Sequence, residues 1–248
     1  MEEMIWGRNP VLEALKAGRP LNKIVVARGS RGSIGEILAR AREEGIPVQF
    51  VMRSVIDRLA EGKNHQGVAA FLSPKEYTTV ESIIQQAELR REDPLVAVLV
   101  GWEDPQNLGA LIRSAEAAGA HGVIIQKRRA APLTGAVAKA SAGALAHLPV
   151  SRVANLSRTL RDLKEAGLWV AGADAAGELP YYEADLAGPL ALVIGGEGKG
   201  LGHLADDCDF LVRIPMAGKT GSLNAAVAGS ILLFEAVRQR TLRSAGTE

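Results

Sequence analysis

Three short segments rich in glycine and polar side chains hold the groups best suited to chemistry, and all lie in the C-terminal part of the chain. The first is Asp104-Pro105-Gln106-Asn107-Leu108-Gly109, with Arg113 following it. The second is Gly195-Gly196-Glu197-Gly198-Lys199-Gly200. The third runs Ile214-Pro215-Met216-Ala217-Gly218-Lys219-Thr220-Gly221-Ser222-Leu223-Asn224. Each begins where an apolar, strand-like run stops. In open α/β sheets the ligand crevice lies beyond the carboxyl ends of the strands. Three such ends carrying amide, carboxylate, hydroxyl and guanidinium groups predict one composite pocket.

In the first segment Leu108, Leu111, Ile112 and Ala115 form a one-sided apolar stripe, which puts Asn107 at a helix start. Arg113 projects about 140° from that stripe at about 100° per residue. An Asn cap with a solvated Arg is one reading. The other is an amide and a guanidinium aimed into a crevice, a pair suited to gripping phosphate. In the second segment, glycine lets the backbone approach a ligand closely, or simply makes a tight turn. Glu197 repels phosphate and argues against a nucleoside triphosphate. The third segment opens a helix, read over 223–240, that is apolar nearly all round for its first turns. Such a helix is buried on every side, by the rest of the chain or by a second subunit. Ser222 is either its cap or a functional hydroxyl, and Asn224 stands inside the first turn.

Two superficial matches fail. Ala217-Gly218-Lys219-Thr220 resembles the end of a phosphate-binding P-loop, but Arg213 occupies the position where that motif needs glycine. Gly198, Gly200 and Gly202 lack the dinucleotide-loop spacing and do not follow a first strand. Four His and the single Cys208 show no metal-ligand spacing, so no metal is expected. Cys208 cannot form an intramolecular disulfide, fits a reducing compartment, and reads as structural.

The elements that must position these groups form an α/β pattern. The expected strands are 95–100, 122–126, 150–153, 168–171, 190–194 and 210–214, with helices over 108–118, 156–166 and 223–240 between them. Near-continuous aliphatic strands alternating with helices argue for a parallel sheet covered on both faces. Ahead of it, residues 5–73 read as a small α/β unit. It has helices near 10–15, 33–44 and 54–60 and strands at 24–27, 47–51 and 67–72. The polar stretch between is taken as a boundary containing a helix over 80–88. The expected domains are thus 1–74, a 75–93 linker and 94–248. Of 248 residues, 47% are apolar and 23% charged, with a net charge of +1. That is an ordinary globular composition, and a balance that leaves nucleic-acid binding to local clustering. The N-terminus lacks signal-peptide character and no apolar run reaches about 20 residues. A soluble, cytoplasmic protein without a membrane partner is expected.

Together, Asp104-Pro105-x-Asn107-x-Gly109-x-x-x-Arg113, Gly195-x-Glu197-Gly198-x-Gly200 and Ile214-Pro215-Met216-x-Gly218-x-x-x-Ser222-Leu223-Asn224 resemble the three signature motifs of the SpoU/TrmH family. These are RNA ribose 2′-O-methyltransferases of the SPOUT superfamily. Lys139-Ala140-Ser141-Ala142-Gly143-Ala144 also matches a family segment, and the resemblance covers about 93–240. Trp6-Gly7-Arg8-Asn9-Pro10-Val11-Leu12-Glu13-Ala14-Leu15 and His65-Gln66-Gly67-Val68-Ala69-Ala70 are similar to the RlmB-like branch, which methylates a guanosine of large-subunit rRNA. That branch carries a small ribosomal-protein-like RNA-binding domain in front. His65 itself reads as structural.

The resemblance implies a deep trefoil knot, a homodimer whose active site draws on both subunits, and S-adenosylmethionine as cofactor. It implies catalytic or orienting roles for Arg113, Asn107, Glu197, Ser222 and Asn224. Cofactor contacts would come from Gly195, Gly196, Gly200, Ile214, Met216 and Leu223. Arg113 would grip phosphate or assist the ribose hydroxyl, though a guanidinium with a pKa above about 12 is a poor base. RNA contacts are expected from Arg8, Arg28 and Arg31 of the front unit and from the Lys127-Arg128-Arg129 run, which otherwise reads as a solvated loop. Gly221, where many relatives carry a polar residue, and Ala225-Ala226, in place of a commoner Val-Ser, depart from the family pattern. Two rival readings keep the fold: a tRNA ribose methyltransferase and a non-catalytic RNA-binding ribosome-assembly factor.

Overall fold

The structure is a computed structural model and describes residues 3–30, 34–196 and 200–245. It divides into two compact units, Met1–Glu76 with Pro132–Ala136, and Tyr77–Ala131 with Val137–Glu248. The first unit runs β1 (Met4–Trp6), α1 (Arg8–Lys16), β2 (Leu21–Ala27), α2 (Ile34–Glu43), β3 (Val48–Val51), α3 (Arg53–Ala60) and β4 (Val68–Leu72). Its sheet has the order β1-β4-β2-β3. β2 pairs antiparallel with β4 and parallel with β3, which is an edge strand. One face packs Val11 and Leu15 of α1 and Ile37 and Ala41 of α2 onto Ile24, Val26, Val68 and Ala70. The other packs Ile56 of α3 against Val25, Ala69 and Phe71. His65 is buried, accepting from the Gly67 N–H through Nδ1 at 3.1 Å and meeting Asp57 Oδ1 through Nε2 at 2.7 Å. It holds the entry to β4.

The second unit opens with α4 (Val80–Arg90). Thr79 caps it by accepting from the Ser82 N–H at 3.1 Å. Within the stretch expected to be linker, Ile83 and Ala87 are fully buried, and Thr78 bridges Ser151. The charged end at 88–93 hid an apolar i, i+4 face that packs on the second core. There follow β5 (Leu95–Val100), α5 (Pro105–Ala117), β6 (Gly122–Gln126), α6 (Gly135–Ala140), α7 (Ala144–His147), β7 (Val150–Val153), α8 (Leu156–Glu165), β8 (Trp169–Ala173), β9 (Leu179–Pro180), β10 (Leu190–Gly195), a 3-10 turn at Gly202–Asp207, β11 (Phe210–Arg213) and α9 (Ala225–Ala245). The seven strands take the order β7-β6-β5-β10-β8-β11-β9, and every pairing is parallel. Central strands β5 and β10 are Leu95-Val-Ala-Val-Leu-Val100 and Leu190-Ala-Leu-Val-Ile-Gly195, almost wholly buried. Aliphatic runs of this kind are what a sheet covered on both faces requires. Burying each Leu, Ile or Val fully contributes about 1.5–3 kcal/mol.

Helix α9 crosses α5 at two small residues. A Cβ on Gly229 would lie 2.6 Å from Leu111 Cδ1, and Ser230 Oγ donates to Ser114 Oγ at 2.7 Å. Its far end is tied by Arg240, which donates to Asp93 O at 2.7 Å, Pro94 O at 3.0 Å and Gly188 O at 2.7 Å. The expected all-round burial of this helix is not met within one chain. Ala225, Ala226, Gly229, Leu232, Leu233 and Ala236 are buried, while Val227 and Phe234 are each 48% exposed.

Candidate active site

The site grows from the carboxyl ends of β5, β10, β8 and β6. Beyond β5, Asp104 rather than Asn107 caps α5. Its carboxylate accepts from the Gln106 N–H at 3.2 Å and the Asn107 N–H at 3.0 Å, with Pro105 in the first turn. Pro fits there because its missing N–H is needed by no partner. The apolar stripe begins at Leu108, so periodicity alone puts the cap three residues late. Asn107 is thereby released for other contacts, and its Oδ1 accepts from Asn224 Nδ2 at 2.9 Å. Asn224, not Ser222, caps α9: its Oδ1 accepts from the Ala226 N–H at 2.9 Å and the Val227 N–H at 3.2 Å. One amide therefore caps the last helix and bridges to the first motif. Ser222 lies exposed before the helix.

Trp102 is buried, and its indole N–H donates to Ile194 O at 2.9 Å, bolting the loop after β5 to β10. The Gly196 N–H donates to Val100 O at 2.7 Å. This close approach leaves no space for side chains. A Cβ on Gly196 would lie 2.4 Å from Gly101 O, and one on Gly195 would lie 2.5 Å from the carbonyl carbon of Gly200. Gly109 is equally constrained, its Cβ position lying 2.4 Å from Ala140 Cβ. That contact explains why the Lys139-Ala140-Ser141 segment uses small residues.

Two cavities open on this wall. The smaller, about 450 Å³, is lined by Gly195, Gly196, Gly200, Ile214, Met216, Ser222 and Leu223, with Asp174 at the end of β8 and Leu232 of α9. All six residues expected to contact a cofactor line it. The larger, about 780 Å³, is lined by Trp102, Glu103, Asn107, Gln126, Arg129 and His203 among others. Gly196, Gly200 and Ala225 line both. Pockets of roughly 300–1,000 Å³ accommodate cofactors and small ligands. The smaller one fits a nucleoside-bearing donor: its glycines present bare backbone, its Ile, Met and Leu present apolar surface, and Asp174 presents a carboxylate.

Arg113 is exposed on α5, lines neither cavity, and makes no hydrogen bond or ion pair among the described residues. Glu197 and Arg31 lie outside the described residues. Arg129 lines the larger cavity, while Lys127 is half-buried and Arg128 exposed in the same loop. Arg28 is exposed and Arg8 half-buried in the first unit. Asp174 and Trp102 escaped the sequence reading. A carboxylate immediately after a parallel strand was the available signal for Asp174, whereas nothing local marked Trp102. Burial pushes the Cys208 thiol up to about 11, against a smaller opposing pull from Lys164, so this sulfur is no nucleophile near neutrality. Among the described residues, no cluster of three or more His, Cys, Asp or Glu could hold a metal ion, and no helix is long and apolar enough to cross a membrane.

The parallel sheet, with a glycine-walled pocket at its carboxyl edge, defines an α/β protein with its cavity where such sheets hold their ligands. The chain belongs to the SpoU/TrmH family of RNA methyltransferases. The SpoU rRNA Methylase family matches residues 94–234, and RNA 2′-O ribose methyltransferase substrate binding matches residues 4–78. YacO of Bacillus subtilis (strain 168), assigned to the TrmH family of tRNA/rRNA methyltransferases, is 45% identical over 96% of both chains. Among solved structures, the SpoU methyltransferase AviRb from Streptomyces viridochromogenes, in complex with its cofactor AdoMet, is 30% identical with a TM-score of 0.62. That match covers 97% of this chain and 91% of AviRb. An enzyme structure described for 2-OH methylation of C/U34 on tRNA is 31% identical with a TM-score of 0.55. It matches 61% of this chain and 99% of its own.

Proposed function

We propose that this protein transfers a methyl group from S-adenosylmethionine to a ribose 2′-hydroxyl of RNA, at a guanosine of large-subunit ribosomal RNA. The observation that carries the reading is the pair of cavities meeting at Gly196, Gly200 and Ala225, one suited to the donor and one open to an acceptor. When bound, the sulfonium supplies an activated methyl with a good leaving group. What remains for the chain is to bring an oxygen into line and ease loss of its proton. Gly195 and Gly196 expose backbone to the donor. Ile214, Met216 and Leu223 supply apolar contact. Asn107, held by Asn224, lines the larger cavity, which is assigned to the acceptor. Glu197 and Ser222 are assigned orienting roles.

Arg113 is assigned the acceptor phosphate, and its exposure outside both cavities favours action in the site of a second copy. The exposed Val227 and Phe234 of α9 support the same homodimer. Gly195 packed on Gly200, and Gly229 on Leu111, suit the tight crossings of a trefoil knot. Ribosomal rather than transfer RNA is favoured by residues 4–78, which match a substrate-binding family, whereas the tRNA enzyme matches only 61% of the chain. The same reading places the protein in the cytoplasm.

Transfer of radiolabelled methyl to unmodified large-subunit rRNA and to tRNA, followed by nucleoside mass spectrometry, tests this. We expect 2′-O-methylguanosine in rRNA. The Arg113→Ala variant should keep its melting temperature and lose about 100-fold or more in rate, as when a charge-stabilising donor is removed. Label confined to tRNA overturns the rRNA assignment. No label with either RNA overturns the catalytic one.

A further inference from the structure

The first unit collects an unusual set of side chains at one end of its sheet. β2 and β3 run parallel and finish together, with the Arg28 N–H donating to Val51 O at 2.8 Å. β4 begins at that end, where the Ala27 N–H donates to Gly67 O at 2.8 Å. β1 finishes there too, with the Gly7 N–H donating to Val68 O at 3.1 Å. Trp6, Arg8, Arg28, Phe50, Met52, Arg53 and Lys63 therefore share one rim.

Phe50 on the edge strand and Met52, which links that strand to α3, are 51% and 66% exposed. An exposed aromatic on an edge strand, followed two residues on by an exposed thioether, is costly to leave in water and marks an interaction surface. The charge around it is positive. Arg28 and Arg53 are exposed, and Lys63 sits 5.4 Å from the Trp6 ring centroid. Arg8 is oriented by Nε donating to Gln66 O at 3.2 Å. The Asp57 carboxylate meets His65 Nε2 at 2.7 Å. Helices α1 and α3 both start at this end, with no side-chain cap and no acidic residue in the first turn. The Arg8 N–H at the start of α1 donates to Gln66 Oε1 at 3.1 Å, and the positive ends of the two helices add to the field. An aromatic face ringed by guanidinium groups suits an unpaired base flanked by phosphates, because every base has a face to stack and every linkage a charge to neutralise. A paired duplex hides its base faces and could use only the cations.

We propose that this rim seats an unpaired nucleotide of the RNA substrate, its base stacked on Phe50 beside Met52 and its phosphates held by Arg8, Arg28 and Arg53. The proposal rests on the reading that the chain acts on RNA, and it assigns recognition to an end of the unit distinct from the methyl-transfer site.

The test is fluorescence anisotropy with the full-length protein, using a labelled single-stranded oligoadenylate and an RNA duplex of similar length. Phe50→Ala should weaken single-strand binding by about tenfold, the scale of one lost stacking contact, and leave duplex binding within about twofold. Phe50→Tyr should restore the affinity. The Arg28→Ala, Arg53→Ala double variant should weaken both RNAs and lower the salt dependence by about two counterions. Unchanged single-strand affinity in Phe50→Ala, or equal loss for both RNAs, overturns the proposal. S-adenosylmethionine binding and turnover at saturating RNA should be untouched in Phe50→Ala, with only KM raised. Failure of methyl transfer in the unaltered protein would instead count against the proposed reaction, while the binding comparison would still decide the rim.

Discussion

Gly196 illustrates how a single residue type becomes obligatory. Its backbone serves both cavities, and its Cα faces Gly101 O so closely that a Cβ would lie 2.4 Å away. The neighbour is backbone, which cannot swing aside as a flexible side chain does. Gly196→Ala should therefore part the ends of β5 and β10 locally. We expect S-adenosylmethionine affinity to fall at least about tenfold, or about 1.4 kcal/mol, by isothermal titration calorimetry. Gly188→Ala, which meets nothing within 4 Å, should bind normally. An unaffected Gly196→Ala would mean that the glycine turn does not contact the donor.

Among the elements, α9 joins the motifs through its capping residue. Asn224 satisfies two N–H groups at the helix start and bridges to α5 through Asn107. Asn224→Ala should cost about 1–2 kcal/mol through the lost cap, read as a lowered denaturant midpoint. Asn224→Asp keeps the cap but replaces the donor to Asn107 with a second acceptor. It should hold most of the stability while impairing catalysis. Equal stability losses in the two variants would show that the bridge, not the cap, sustains the helix. The element pattern itself was legible because β5, β6 and β10 are uninterrupted aliphatic runs. Apolar periodicity marks where a helix packs, whereas its start is set by the residue that caps it. Asp104 therefore starts α5 three residues before the apolar stripe, while Asn224 starts α9 at Ala225, two residues after Leu223, where the apolar run begins.

At the scale of the whole molecule, a buried titratable group ties stability to pH. His121 lies between α5 and β6, accepting the Leu95 N–H at Nδ1 at 3.0 Å and meeting Glu92 Oε2 through Nε2 at 3.0 Å. Burial lowers its pKa, outweighing the opposing pull of Glu92. The folded state therefore resists protonation more than the unfolded chain, whose histidine titrates near 6.5. Stability is fully present above that value and declines as pH falls toward the lower folded pKa, because the unfolded state then binds more protons. Thermal melts between about pH 7 and 5 should show this decline, with a shallower slope in His121→Gln. An identical slope would place the acid sensitivity elsewhere.

The sequence by itself determined the parallel α/β class, the three motif segments and the small residues among them. Those properties are local: strand patterning and glycine content are carried by neighbours along the chain. Only the tertiary structure decided that Asn224 would reach back 117 positions to Asn107, that Trp102 would bolt β5 to β10, that Asp174 would line the smaller cavity, and that α4 would belong to the second core. Such contacts depend on strand order, in which β10 inserts between β5 and β8. No periodicity along the chain encodes that order, because it is selected by how the aliphatic faces pack together in three dimensions.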